Sequence, residues 1–236
     1  MNPTRRTTRA AAFFDVDGTL VNTTTMFEFL AYHLNRCGRP DAYRIFRKRI
    51  ADMARAGANR NDRCHAYYEM YADVPLASLT EEGAQWFTSR SSRPGFFNES
   101  AVAEFRTYAA TDTLTVLVSG SFAACLNPIA EYLGADVLLC SRPEVEAGVL
   151  TGSIGTPMIG AAKLDAVLRL ADRRSLNLEQ SHAYGDHISD AAYMGVVGHP
   201  VVVGDDNEMA HHAAQHRWRR LAGSQKPDPL TDRIRP

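Results

Sequence analysis

Three short apolar runs in this sequence each stop abruptly at small polar or acidic residues, and this pattern constrains the fold more than any other feature. The runs and the residues that follow them are 10–14 before Asp15 and Asp17, 114–118 before Ser119 and Gly120, and 182–184 before Asp186 and Asp190. Stretches with helical character separate the runs. Alternation of strands and helices predicts an α/β fold with a Rossmann-like, mostly parallel sheet. Ligands of such sheets bind beyond the carboxyl ends of the strands, so we expect the polar residues to meet in one site.

A long stretch after the first strand has helical character throughout. Its predicted helices span residues 25–36, 40–56, 61–72 and 77–92, with glycine and proline residues as breaks between them. Thr25 and Glu28 have the spacing of a capping box at the start of the first of these helices. We therefore expect residues 23–95 to form an all-helical cap, inserted into a core made of residues 1–22 and 96–236. The last part of that core, residues 223–236, is rich in proline and charge, which predicts a loose tail.

The balance of charges excludes one class of partner. The 26 Lys and Arg residues nearly cancel the 27 Asp and Glu residues, whereas domains that bind nucleic acid are commonly basic. No window approaches about eighteen apolar residues in a row, so we expect no membrane span. The four cysteines form no CxxC pair, which indicates free thiols in a reducing compartment and hence the cytoplasm. No distinctive interface pattern occurs, so the oligomeric state is left open.

The two aspartates after the first run, Asp15 and Asp17, indicate phosphoryl transfer. One carboxylate can attack phosphorus as a nucleophile, and a second can protonate the departing alcohol and later activate water. Clustered carboxylates repel a phosphate, so a cation is needed. Mg²⁺ prefers such oxygen ligands, and Asp186 can supply another one. Lys163 and the Ser119 hydroxyl, with the amide that follows it, can bind phosphate oxygens.

Four segments together resemble the motifs of the haloacid dehalogenase (HAD) superfamily. In chain order they are Asp15-Val-Asp-Gly-Thr-Leu20, the Ser119-Gly120 strand end, Lys163, and Gly185-Asp186-x-x-Ser-Asp190. The segments Gly148-x-x-Thr-Gly152 and Gly160-x-x-Lys163, with an all-helical C1-type cap after the first motif, are similar to the phosphoserine-phosphatase-like branch (subfamily IB). The resemblance covers roughly residues 10–210. It implies a Mg²⁺-dependent phosphatase that acts on a small phosphorylated metabolite through an aspartyl-phosphate intermediate.

The resemblance also implies roles for single residues. Asp15 is implied as the nucleophile and Asp17 as the general acid and base. The implied Mg²⁺ ligands are Asp15, the backbone carbonyl of Asp17, and Asp186, with Asp190 and Ser189 in support. The implied phosphate-binding residues are Ser119, Gly120 and Lys163, together with Gly18 and Thr19 of the first motif. Asp17 argues against dehalogenation, because dehalogenases of the superfamily lack that second aspartate.

Two departures from the branch bear on the substrate. Phosphoserine phosphatases carry an acidic residue soon after the first motif for the substrate amino group, but here residues 22–25 hold none and the next carboxylate is Glu28. They also carry a cap arginine for the substrate carboxylate, and that position falls at Tyr67, with Arg63 one turn away. We therefore do not expect phosphoserine as the substrate. The candidate specificity residues are Thr24, Arg63, Tyr67 and His187.

Two other functions stay open at this stage. A phosphotransferase of the same fold would pass the phosphoryl group to an alcohol instead of water, and the sequence barely separates it from a hydrolase. A catalytically silent module kept for binding is disfavoured by the intact set Asp15, Asp17, Lys163, Asp186 and Asp190. Release of phosphate without an added acceptor would identify a hydrolase.

Overall fold

A parallel sheet of six strands forms the centre of the molecule, as the alternating pattern predicts. The computed structural model describes residues 9–222. Its strands are β1 (Ala11–Phe14), β2 (Leu114–Phe122), β3 (Val137–Ser141), β4 (Pro143–Glu146), β5 (Val149–Ile154), β6 (His182–Gly185), β7 (His199–Val203) and β8 (Arg219–Leu221). The order across the large sheet is β3-β2-β1-β6-β7-β8, with parallel neighbours throughout. Because β1 lies between β2 and β6, the three predicted polar strand ends are adjacent.

Helices cover both faces of this sheet. They are α1 (Thr25–Arg36), α2 (Pro40–Arg55), α3 (Arg60–Tyr68), α4 (Leu76–Ser91), α5 (Glu99–Ala109), α6 (Ala123–Leu133), α7 (Ala161–Arg174), α8 (Ala191–Met194) and α9 (Asn207–His216). Side chains of a strand alternate between faces, so Ala12 and Phe14 of β1 join one buried apolar cluster while Ala11 and Phe13 join another. The first cluster includes side chains of α5 and α6, and the second includes side chains of α7, α8 and α9.

Helices α1 to α4 occupy the stretch predicted to form the cap, and they share their apolar core with the sheet. Phe29 of α1 and Trp86 of α4 belong to the same cluster as Phe122 at the end of β2, and the Phe29 and Phe122 ring centroids lie 5.9 Å apart. Helix α4 also packs very closely on α6, where a Cβ on Gly83 would clash with the carbonyl group of Ala124. The predicted division of the chain at residues 22 and 96 stays a prediction.

A hairpin around Gly148 is formed by β4 and β5, which pair antiparallel. It contacts the loop between α3 and α4 through backbone hydrogen bonds of 2.9 Å each. The Asp73 amide donates to the Leu150 carbonyl, the Leu150 amide donates to the Val74 carbonyl, and the Leu76 amide donates to the Gly148 carbonyl. These bonds attach the loop between α3 and α4 to the hairpin, in addition to the apolar contacts that the helical stretch makes with the large sheet.

Two elements near the end of the described chain, α9 and β8, were not predicted from the sequence. Helix α9 follows Asp206, whose carboxylate accepts the amide of Met209 at 3.0 Å and so caps the helix. Only Met209 and Ala213 are buried in it, so its apolar pattern is weak. Strand β8 is a short edge strand that contains two arginines.

The capping box predicted at the start of α1 is wrong. Thr24, not Thr25, occupies the N-cap position, and its side chain makes no capping hydrogen bond. Glu28 instead accepts the Thr23 hydroxyl at 2.5 Å and both Nε and Nη2 of Arg90 at 2.6 and 2.9 Å. The first turn of α1 is therefore held by contacts with other parts of the chain.

Three further expectations concern the chain as a whole. The predicted loose tail, residues 223–236, lies outside the described residues. No helix within residues 9–222 has the length and apolar character needed to cross a membrane. All four cysteines are free thiols, as predicted, with Cys37 exposed and the other three buried.

Candidate active site

A cavity of about 350 Å³ lies beyond the carboxyl ends of β1, β2 and β6. On the side of the sheet it is lined by residues from all four predicted motifs, namely Asp15, Asp17, Gly120, Lys163, Asp186, His187, Ser189 and Asp190. The lining residues from the helical stretch are Thr24, Met26, Phe27, Ile50, Arg60, Arg63, Cys64 and Tyr67. The fold thus brings segments that are far apart in sequence into one site.

Lys163 lies between two carboxylates in this cavity. Its Nζ is 2.5 Å from Asp15 Oδ1 and 2.7 Å from Asp190 Oδ1, and all three side chains are almost fully buried. Burial alone would lower the pKa of Lys163, but the two carboxylates outweigh that effect and raise this pKa above its ordinary value. The lysine is therefore a fixed positive charge that orients the carboxylate of Asp15.

The carboxylates around Asp15 have the character of a divalent-cation site. Burial raises the pKa of Asp15 well above its usual value; Lys163 lowers this pKa, and the carboxylates of Asp190, Asp186 and Asp17 raise it further. Oxygens of Asp15, Asp186 and Asp190 all lie within 4.8 Å of one another. Lys163 alone does not balance these charges, so further positive charge is needed to keep the carboxylates ionised together. Clustered carboxylate oxygens are ligands that Mg²⁺ prefers, so the donor set fits this ion.

Both carboxylate oxygens of Asp17 are held by hydrogen bonds. Oδ1 accepts the backbone amide of Thr25 in the first turn of α1, and Oδ2 accepts the hydroxyl of Ser121, both at 2.9 Å. The Thr25 and Ser121 hydroxyls are themselves 2.7 Å apart. Burial raises the pKa of Asp17, and the hydrogen bonds from Thr25 and Ser121 partly oppose that rise. A carboxyl group with a raised pKa can hold and release a proton closer to neutral pH, as general acid–base catalysis requires.

Ser121 is a site residue that the sequence analysis missed. It directly follows Ser119 and Gly120, so the polar end of the same apolar run could have indicated it as a candidate. The pairing of β2 with β3 shifts register between Ser119 and Phe122, and beyond that irregularity the Ser121 hydroxyl reaches Asp17. The Ser119 hydroxyl accepts the Ser121 amide at 3.1 Å, and Ser119 is fully buried. Its contact with phosphate therefore stays a prediction.

Gly18 and Thr19 shape the loop that follows Asp17. The Gly18 amide donates to the Val21 carbonyl at 2.8 Å, and the Thr19 amide donates to the Val16 carbonyl at 3.2 Å. Gly18 has a φ of +83°, and a Cβ at this position would collide with the carboxylate of Asp186. Both amides are thus used within the turn, and phosphate binding by these two residues stays a prediction.

Arg60 connects the helical stretch to the fourth motif, a contact that was not predicted from the sequence. It is the first residue of α3, and its Nη1 donates to Ser189 Oγ at 2.8 Å and to His187 Nδ1 at 3.2 Å. His187 Nδ1 also accepts the Ser189 amide at 3.0 Å, so this ring nitrogen is the unprotonated one. Burial and the positive charge of Arg60 lower the pKa of His187. An arginine in a basic helix carries no sequence signal for such a contact.

The remaining candidate specificity residues differ in what they offer to a ligand. Thr24 is exposed and Arg63 is half-buried on the cavity wall. Tyr67 is almost fully buried; its hydroxyl donates to the Met26 carbonyl at 3.0 Å and lies 2.9 Å from the Tyr71 hydroxyl. Tyr67 can therefore present its ring to the cavity, whereas its hydroxyl is engaged in hydrogen bonds within the protein.

Comparisons with known proteins identify relatives of this chain in sequence and in fold. The Mycobacterium tuberculosis protein named as a probable phosphatase is 36% identical over 119 residues, which are 50% of this chain and 41% of that relative. The chain thus spans less than half of that relative's length.

Two solved structures resemble the whole molecule. A protein of unknown function from Bordetella pertussis Tohama I matches with a TM-score of 0.80 and 23% identity, over 91% of this chain and 99% of that one. A phosphoserine phosphatase solved as a phospho-aspartyl intermediate analogue matches with a TM-score of 0.64 and 21% identity, over 95% and 97% of the two chains. At these identities both structures show the fold alone. The family described as haloacid dehalogenase-like hydrolase matches residues 12–195, which include all four motifs, so the chain belongs to that family.

Proposed function

We propose that this protein is a Mg²⁺-dependent phosphomonoester hydrolase that works through an aspartyl-phosphate on Asp15. The observation that carries the proposal is the buried pair of Asp15 and Lys163, 2.5 Å apart, with the hydrogen-bonded carboxyl group of Asp17 in the same cavity. The name of the mycobacterial relative supports phosphatase activity.

In the first step, a carboxylate oxygen of Asp15 attacks phosphorus and the bond from phosphorus to the alcohol oxygen breaks. The alcohol oxygen takes the proton of Asp17 as it leaves, so no alkoxide is released into the site. Lys163 balances charge on Asp15 and on the phosphoryl oxygens, and the amide of Gly120 can donate to one of them. The products of this step are a free alcohol and a phosphorylated Asp15.

In the second step, ionised Asp17 takes a proton from water, and the water oxygen attacks phosphorus. The bond to Asp15 breaks, inorganic phosphate leaves, and Asp17 is again protonated for the next cycle. Asp17 therefore alternates between acid and base, a change that a buried carboxyl group with a raised pKa can make. Water must reach the site only after the alcohol has left. The helices over the cavity can exclude water until then.

Mg²⁺ is the cofactor that the carboxylates fit best. When bound, it neutralises the charge that builds up on the phosphoryl group and on Asp15. We assign it to Asp15, Asp186 and the backbone carbonyl of Asp17, with Asp190 and Ser189 in support. The substrate is a small phosphorylated metabolite, in line with a cavity of about 350 Å³. The free cysteines make the cytoplasm the expected compartment.

The experiment that tests the proposal compares Asp15→Asn with a control variant, Asp165→Asn, at an exposed position of α7. Phosphate release from a panel of phosphomonoesters is measured with Mg²⁺ and without an added acceptor alcohol. Wild-type and the control should release phosphate and, after rapid quenching, carry protein-bound phosphate that hydroxylamine removes. Asp15→Asn should do neither. Undiminished release by Asp15→Asn would refute the mechanism, and product formation only with an acceptor would identify a phosphotransferase.

A further inference from the structure

The wall of the cavity formed by the helical stretch carries two arginines one turn apart. Arg60 and Arg63 lie three residues apart on α3, so they share one side of that helix, and both line the cavity. The carboxylates of the proposed phosphoryl site lie in the same cavity on the sheet side. The two arginines are thus placed to contact whatever part of a substrate projects from its phosphoryl group.

In the part of the chain that the structure describes, no carboxylate lies within ion-pair distance of either arginine. Other arginines of the same helical stretch form ion pairs, such as Arg49 with Glu69 at 2.7 Å and Arg55 with Asp52 at 2.8 Å. Within residues 9–222, neither Arg60 nor Arg63 forms an ion pair with a carboxylate. A guanidinium group without a protein carboxylate is a ready partner for a carboxylate or phosphate of a ligand.

The hydrogen bonds of Arg60 and Arg63 leave that charge available. Arg60 donates one terminal nitrogen to the neutral acceptors Ser189 and His187, which orient it but do not neutralise it. Arg63 donates only its Nε, to the Asn59 carbonyl at 3.4 Å, among contacts within the described chain. The terminal nitrogens of Arg63 therefore remain free to bind an anion.

The same wall offers no carboxylate to a positively charged group. None of the lining residues from the helical stretch is acidic. The first carboxylate after the first motif, Glu28, is held by both Arg90 nitrogens and by the Thr23 hydroxyl. An ammonium group on the leaving alcohol would therefore lose its water without gaining a carboxylate partner on this wall.

Most of the remaining lining of the cavity is apolar. Met26 and Phe27 of α1 and Ile50 of α2 line the cavity on one side, and Met158 and Ile159, just before α7, line it on another. Such a surface favours burial of a hydrocarbon part of a ligand. The wall thus combines apolar contact with two arginines that have no carboxylate partner within residues 9–222.

We propose that the substrate is a phosphomonoester whose alcohol has an apolar body and a second anionic group, bound by Arg60 and Arg63, and no ammonium group. This inference rests on the proposed hydrolase function and names the class of its leaving group. A carboxylate and a phosphate would both satisfy the two arginines, so the shared requirement is a second anion within reach of α3.

The test uses four esters that differ only at the far end of a butyl chain. They are butyl phosphate and its derivatives that end in a carboxylate, a second phosphate or an ammonium group. We measure kcat/KM with wild-type enzyme, with Arg63→Gln, and with Arg55→Gln as a control in which an arginine outside the cavity lining is lost. We expect wild-type to prefer an anionic ester over butyl phosphate by about 10-fold or more, since each tenfold needs only one good charged contact.

Arg63→Gln should lose that preference, with its largest losses of kcat/KM on the anionic esters, and Arg55→Gln should keep it. Which anionic ester is favoured distinguishes a carboxylate from a phosphate. Equal losses on all four esters in Arg63→Gln, or a wild-type preference for the ammonium ester, would overturn the inference. Hydrolysis of butyl phosphate by wild-type, with none by Asp15→Asn, would leave the proposed function standing in either case.

Discussion

Removal of the Ser121 hydroxyl should damage catalysis only for substrates whose leaving group needs a proton. This hydroxyl donates to Asp17 Oδ2 at 2.9 Å, while the Thr25 amide holds Oδ1. In Ser121→Ala the carboxyl group of Asp17 keeps its hydrogen bond from the Thr25 amide but loses the other one, so it can rotate. The hydrogen bonds of Lys163 with Asp15 and Asp190 do not involve the Ser121 hydroxyl. The attack of Asp15 on phosphorus should therefore remain intact.

The size of the effect follows from the kind of hydrogen bond that is lost. A hydrogen bond to a charged group contributes about 1.5–3 kcal/mol, which corresponds to about a 10- to 100-fold change in rate. We expect kcat/KM for an alkyl phosphate such as butyl phosphate to fall by about that factor. The value for p-nitrophenyl phosphate should fall by less than about threefold, because nitrophenolate leaves without a proton. The ratio kcat/KM is the right quantity, since it reports only the steps up to departure of the alcohol.

Ser141→Ala is the matched control for this experiment. Ser141 is also a buried serine, and its hydroxyl donates to the Gly120 carbonyl and accepts the Met158 amide, with no contact to Asp17. Its loss should change both esters by a similar factor. The reasoning about Ser121 is refuted if Ser121→Ala lowers kcat/KM equally for the alkyl and the aryl ester.

Three further predictions concern Asp17, Arg60 and Gly18. Burial raises the pKa of Asp17 above its unfolded value of about 3.9, so its contribution to stability is present below that pH and is lost as pH rises through the folded pKa. Metal-free Asp17→Asn should therefore melt above wild-type at pH 7, by about 2–4 °C per kcal/mol gained, with the gap closing towards pH 4; a lower melting temperature at pH 7 would contradict this. Arg60→Gln and Ser189→Ala should be non-additive in kcat/KM, with a coupling of about 0.5–1.5 kcal/mol, whereas additive losses would mean that their 2.8 Å contact has no role in turnover. Gly18→Ala should lower activity at least about tenfold more than Gly57→Ala, because both glycines have a φ of +83° but only a Cβ at Gly18 meets a carboxylate; equal losses would assign the effect to backbone strain alone.

The residues that the sequence could predict are those that follow a strand directly. Asp15 and Asp186 come after apolar runs that form β1 and β6, and neighbouring parallel strands end at the same edge. Their meeting in one cavity therefore needed no knowledge of loop geometry. Lys163 is different, because a lysine near the start of a helix is ordinary, and only its place among the other motifs indicated that it belongs to the site where it contacts Asp15.

The residues that the sequence could not predict depend on how separate elements pack. Arg60 reaches His187 only because α3 lies over the loop after β6. Ser121 reaches Asp17 because the strand β2 is irregular beyond Ser119. The edge strand β8 was not predicted because its two arginines interrupt any apolar run. It forms a strand through its pairing with β7.

The contact between Asp17 and α1 has a consequence for how this protein can diversify. The donor is the backbone amide of Thr25, which every amino acid except proline would supply. This backbone contact by itself therefore places almost no demand on the side chain at position 25, and the Thr25 hydroxyl adds a separate contact with the Ser121 hydroxyl at 2.7 Å. The helices that form one wall of the cavity can change their side chains, and with them the proposed leaving group, while the proposed proton donor keeps its place. The first turn of α1 thus holds the proposed acid with a backbone amide, whereas its side chains, such as those of Met26 and Phe27, line the cavity.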